Sequence, residues 1–191
     1  MIKIAIVYHS GYGHTRKLAE AVHEGASRSE DTDVSLVVVD SEGNIADDAW
    51  SVLDNADGII FGSPTYMASV SWQFKKFLDA TSKRWYSQVW KEKIAAGFTN
   101  SASMNGDKGM TMNFLIAFAM QHGMAWTGTG LMPSASKSAQ RNDVNYLGSS
   151  SGLFAQSPSD ASPDEAPLPG DLETARLFGK HVADVTQKFR C

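Results

Sequence analysis

The chain has 191 residues, 42% of them hydrophobic and 20% charged, with a formal net charge of −4. It is long enough to bury a core as one domain, 1–191, and its mild acidity without a basic stripe argues against nucleic acid as the main partner. The single cysteine, Cys191, leaves no intramolecular disulfide, and no apolar run approaches the ~20 residues of a membrane span, so a soluble cytoplasmic protein is expected.

Ile2 to Tyr8 is almost wholly apolar, as a strand buried on both faces reads. It runs into a small polar turn, His9 to Thr15, and then into a helical pattern carried by Leu18, Ala19, Val22 and Ala26. A strand, a tight turn and a helix start make an anion site, because the first-turn amides and the helix dipole both face the turn. A Walker loop would end in Lys, which is absent, and the third glycine of a dinucleotide fingerprint is replaced by Arg16. What remains is three hydroxyls (Ser10, Tyr12, Thr15), Gly11, Gly13 and His14. That set suits a compact phosphate monoester, or else an ordinary strand-to-helix turn.

Val34 to Asp40 reads as a second strand, and Asp47 to Asn55 as a short helix with Trp50 and Leu53 on one face. Asp40 lies farther from Gly13 than the ~20 residues at which a dinucleotide fold places its ribose acid. Gly58 to Gly62 is a third strand, followed by a loop from Ser63 to Val70 because Pro64 lacks a donor. Ser71 to Thr81 is helical by period, with Trp72, Phe74, Phe77 and Leu78 apolar. Ile94 to Thr99 is the fourth strand and empties into a small polar loop, Asn100 to Gly109. Thr111 to Gln121 is an apolar helix ended by His122-Gly123, and Met124 to Leu131 is the fifth strand.

Pro133 to Gly170 has many serines, Pro158, Pro163, Pro167 and Pro169, and no sustained period. A connection of that length is functional or disordered, so a lid or insertion is expected there, with enough apolar residues in Asn142 to Phe154 to pack. Asp171 to Phe189 closes the chain as a helix with Leu172, Ala175, Phe178, Val182, Val185 and Phe189 on one stripe. Strands alternating with helices predict an α/β fold, a doubly wound five-stranded parallel sheet of order 2-1-3-4-5 with helices on both faces. The loops after strands one, three and four then converge on one crevice. The five histidines are scattered without ligand spacing, so no metal site is expected.

Ser10-Gly-Tyr-Gly-His-Thr15, opening a short α/β chain, resembles the FMN-phosphate loop of the flavodoxin-like superfamily. Tyr-Gly-His in particular resembles the WrbA-type NAD(P)H:quinone oxidoreductases, and the pattern extends to about Leu131. The resemblance implies a flavodoxin-like fold with FMN held by Ser10, Gly11, Tyr12, Gly13, His14 and Thr15. It adds Pro64, Thr65, Tyr66 and Met67, where the family usually has Pro-Thr-Arg-Phe. It also adds Thr99, Asn100, Ser101, Ala102, Ser103 and Asn105, where the family is richer in glycine.

Asp79 to Trp85 is similar to the family segment that supplies a tryptophan over the substrate face across a subunit interface. His122-Gly123 is similar to a pair bordering the flavin, and His122 reads equally as a helix C-cap. Tyr12, Trp85 and His122 are thus the implied catalytic face. With Tyr86 and Trp90, Trp85 makes a ring-stacking wall, an oligomer contact or a local core cluster. The implied activity is two-electron transfer from NADH or NADPH through FMN to a quinone or similar acceptor, in a homodimer or homotetramer. The alternative is a flavodoxin-type carrier of single electrons between protein partners, for which the modest charge is a poor match.

Overall fold

β1 (Ile2–His9) is an interior strand of the sheet, and its side chains alternate between two buried faces. A computed structural model describes residues 1–190, so the expectation placed on Cys191 lies outside the described residues. After β1 come α1 (His14–Ala26), β2 (Thr32–Val39), α2 (Ala49–Asn55), β3 (Gly58–Tyr66), β4 (Ser69–Val70) and α3 (Trp72–Ala80). The chain continues through α4 (Ser82–Tyr86), β5 (Ile94–Ser101), α5 (Lys108–Gln121), β6 (Ala125–Trp126), β7 (Leu153–Gln156) and α6 (Pro169–Phe189).

The main strands run in the order β2-β1-β3-β5-β6, all parallel, with β4 an antiparallel appendage of β3. This is the expected doubly wound, flavodoxin-like order. Ile4, Ile6 and Tyr8 of β1 face α1 and α6, where Leu18, Val22, Phe178 and Val182 close one core. Ala5 and Val7 face the other layer, where Leu53, Phe74, Phe77, Leu115 and Ala119 of α2, α3 and α5 close the second. α1 and α6 touch backbone to backbone. A methyl group on Gly25 would overlap the Arg176 carbonyl, and one on Gly179 the Val22 carbonyl.

The structure corrects four local expectations. β3 does not stop before Pro64, which pairs with Asn100; past Gly62 the strand has lost β1 as a neighbour, and a one-sided strand tolerates a missing donor. Trp72 is exposed because it lies two residues, hence about half a turn, from the buried Phe74. Phe189, the last residue of α6, is also exposed. The fifth strand is split: β6 covers only Ile94 and Ala95 of β5, and β7 covers Phe98 to Ser101. β7 comes from inside the Ser/Pro-rich region, where Leu153 and Ala155 are fully buried.

Between β6 and β7 the chain makes an excursion whose two ends are held together. Trp126 donates to the Ser151 carbonyl (2.7 Å), the Thr129 amide to the Ser150 carbonyl (3.0 Å), and Gly128 leaves no room for a side chain against Ser150. No helix among the described residues is long and apolar enough to cross a membrane.

Candidate functional site

The loops after β1, β3 and β5 meet at the carboxyl edge of the sheet, around a crevice of about 370 Å³. Its floor is the start of α1. Gly13 takes a left-handed conformation (φ 93°), and the Ser10 hydroxyl oxygen accepts the Gly13 and Arg16 amides, both at 3.1 Å. The first intrahelical bond runs from the Lys17 amide to the Gly13 carbonyl, so the His14 and Thr15 amides have no intrahelical acceptor. Thr15 is buried at the crevice, and no acidic residue occupies the first turn. These are the features of an anion cradle.

The segment from Ser157 to Asp164 lies along this loop. His14 Nε2 donates to the Ala161 carbonyl (2.9 Å), Lys17 pairs with Asp164 (3.0 Å), and a methyl on Gly13 would meet the Pro163 ring at 2.6 Å. Ser157 and Ser159 thereby enter the crevice, and the Ser157 hydroxyl donates to Asn100 Oδ1 (3.0 Å). Sequence reasoning missed both serines. The alternating Leu153-x-Ala155 that docks β7 beside β5 was the available signal.

On the β3 side Pro64, Thr65 and Tyr66 line the crevice. The Thr65 hydroxyl bonds to those of Thr99 and Thr111, both at 2.8 Å, which fixes its rotamer and leaves Thr99 buried behind it. Tyr66 lies over Gly11, where a methyl would come within 2.6 Å of its hydroxyl, and meets Tyr12 edge to face at 6.4 Å. Met67 and Ala68, at φ 48° and 64°, form the two-residue β3–β4 turn, and Met67 is fully exposed at its tip. Two non-glycine residues in left-handed conformation cost of order 1 kcal/mol each.

From β5, Asn100, Ser101 and Ala102 line the crevice. Ser103 and Asn105 lie beyond it: the Ser103 carbonyl turns to Lys108, and Asn105 faces a separate cavity with Met104, Tyr146 and Phe154. Lys108 is fully buried and donates to Ser101 Oγ (2.7 Å) and to the Ser103 and Met104 carbonyls (3.0 and 2.9 Å). Burial pushes its pKa down to about 8, opposed by Asp171 and assisted by Arg141. Asp171 is itself gripped by both Arg141 terminal nitrogens (2.7 Å each) and by the Gln156 amide (3.0 Å).

Trp85 and His122 are not brought to this crevice. The helices run back from the carboxyl edge, so α4 and the end of α5 reach the opposite edge of the sheet. There both residues line another cavity, of about 380 Å³, with Leu78 and Phe118. Trp90 is core, wholly buried and bonded to Asp54 (2.9 Å), whereas Trp85 and Tyr86 are exposed.

His122 is the C-cap of α5. The Thr81 hydroxyl donates to the Leu78 carbonyl (2.6 Å), so its oxygen accepts from His122 Nε2 (3.0 Å), and Nδ1 is left unprotonated among Trp90 and Phe118. Burial pushes the imidazole pKa down to about 4. Between pH 6.5 and 4 the unfolded chain binds a proton that the native state refuses, so stability present at pH 7 is lost on acidification, by about 3 kcal/mol. Burial lowers His9 in the same sense. Urea midpoints at pH 7 and 4.5 should converge for His122→Gln relative to the parent protein; equal slopes in both would rule His122 out as the cause.

A parallel doubly wound sheet with a phosphate-type cradle at its first loop defines a flavodoxin-like protein. Residues 2–137 match the family model described as NADPH-dependent FMN reductase, and the chain belongs to that family. It is 50% identical to the protein named Flavodoxin FldP from Pseudomonas aeruginosa, over 98% of both chains. A protein named NAD(P)H dehydrogenase (quinone) from Solidesulfovibrio magneticus is 30% identical, covering 99% of this chain and all of that one. The solved structure of a flavodoxin, WrbA-like protein from Agrobacterium tumefaciens superposes with a TM-score of 0.79 at 45% identity, covering 98% and 99% of the two chains.

Proposed function

We propose that the crevice binds FMN and that the protein is a cytoplasmic NAD(P)H-dependent oxidoreductase, reducing quinones or similar small acceptors by two-electron transfer. The observation that carries this reading is the pairing of one anion cradle with two tyrosine rings at a single open crevice. One cradle suits a mononucleotide, and the donor set around it, hydroxyls and first-turn amides without a carboxylate, fits a phosphate monoester.

Thr15, the Ser10 hydroxyl and the amides of His14 and Thr15 hold the phosphate in this reading. Thr65, Tyr66, Asn100, Ser101 and Ala102 orient the ring system. FMN, when bound, supplies the hydride chemistry; the protein supplies position and electrostatics. Tyr12 is mostly exposed at the mouth and shapes the face that nicotinamide and acceptor share. Trp85 contributes only from a second copy of the chain, for which exposed Trp72, Trp85 and Tyr86 offer contact surface in a homodimer or homotetramer. His122, buried at the other end of the sheet, has no part in it.

A second reading, the single-electron carrier, is favoured by the relative named a flavodoxin at 50% identity. The FMN-loaded protein mixed with NADH or NADPH and benzoquinone should oxidise the nicotinamide over many turnovers. FMN bound without nicotinamide oxidation would replace the reductase by the carrier. A protein that does not quench FMN fluorescence would remove both.

A further inference from the structure

Lys108 is a buried, charged side chain beside the crevice whose chemistry the reading above leaves unused. It sits at the first position of α5, where the helix dipole opposes a cation, and it is fully buried. Its acceptors, Ser101 Oγ and the Ser103 and Met104 carbonyls, are all neutral. Among the described residues no carboxylate lies within ion-pair distance of it. The charged groups facing it are Asp171 of α6 and Arg141 of the excursion, and these are paired with each other. The cluster therefore carries an uncompensated positive charge, located behind Ser101 of the crevice wall. An apolar side chain here would avoid the cost of burying a charge but would leave Ser101 Oγ and the Ser103 and Met104 carbonyls without this donor.

We propose that Lys108 is a positioning residue for the cofactor's reduced form. Its ammonium ties the Ser101–Met104 loop into shape and sets a positive charge one hydrogen bond behind the crevice, favouring FMN once two electrons have added negative charge to its ring. The inference rests on FMN occupying the crevice. By linkage, a charge that tightens reduced FMN more than oxidised FMN raises the potential of the bound couple.

The test is the affinity of Lys108→Met for FMN in both oxidation states, the reduced form prepared anaerobically with dithionite. The variant keeps an unbranched chain, one atom shorter, and removes the charge and its three donors. Oxidised FMN should weaken about two- to threefold through the loosened loop, and reduced FMN about tenfold more, which lowers the two-electron midpoint potential by about 30 mV. Equal weakening of both forms would overturn the proposal and leave Lys108 a loop tie. If the parent protein binds neither form, the FMN reading itself fails. If the variant does not fold, the parent protein decides: its preference for reduced FMN, corrected for free flavin, should fall between pH 7 and 9.5 as the ammonium deprotonates, and a flat profile would overturn the proposal.

Discussion

Replacing Thr15 and Ser10 together by Ala is expected to weaken FMN binding by about 3–6 kcal/mol, roughly a hundred- to ten-thousand-fold, at 1.5–3 kcal/mol per hydrogen bond to a charged group. Thr15 acts directly, as a buried hydroxyl at the crevice floor. Ser10 acts in two ways. Its oxygen already accepts the Gly13 and Arg16 amides, which shapes the loop, and its proton remains for the anion. Riboflavin, which lacks the phosphate, provides the control. Its affinity should be nearly unchanged in the double variant, so the ratio of FMN to riboflavin binding should collapse. Equal losses for both ligands would mean that this loop does not hold the phosphate.

The largest effect on stability is expected at the contact between α1 and α6. Gly25→Ala adds a methyl where the Arg176 carbonyl already stands. The carbonyl belongs to the backbone of a helix that is itself packed through Ala175, Phe178 and Val182, so it cannot turn aside. The helices must separate, opening the core along Leu18 and Val22, at a cost of about 3 kcal/mol or more. Gly109→Ala makes the same chemical change in α5, at a site with no atom within 4 Å of the new methyl. It should be neutral or stabilising by up to ~1 kcal/mol. A lowered urea midpoint for Gly25→Ala beside an unchanged or raised one for Gly109→Ala is the expected result, and similar shifts would remove the close-approach explanation for Gly25.

Much of this architecture was legible before the structure. The long β-branched and apolar runs of β1 and β2, and the glycine-bounded Gly58-Ile-Ile-Phe-Gly62, mark buried parallel strands, and their alternation with helices dictates the order. What failed was local. β7 is only four residues long and stands among serines and prolines, so its Leu153-x-Ala155 alternation is too short to stand out; burial of both residues against β5 fixes it as a strand. The resemblance named Thr65, Tyr66, Asn100, Ser101 and Ala102 along with the phosphate loop, and the fold brings Tyr12, His14 and Thr15 together with them at one crevice because loops after parallel strands share an edge. Trp85 and His122 were assigned by resemblance, and that same topology sends them to the opposite edge. Lys108 escaped notice because a single lysine after a polar loop reads as solvated. Only the fold reveals that three acceptors enclose it.

The split flank of β5 also bears on how the chain can vary. β6 and β7 dock on one side of the same strand, leaving it after Ala95 and regaining it at Phe98, two unpaired residues or about 10 Å farther on. Whatever lies between them begins and ends at nearly one point, and its two stems are stitched together by Trp126, Thr129 and Ser150. Closure entropy rises only slowly with the length of such a loop. The exposed tip at residues 135–138 is therefore a place where the chain can be lengthened or shortened while the strands that build the crevice keep their register.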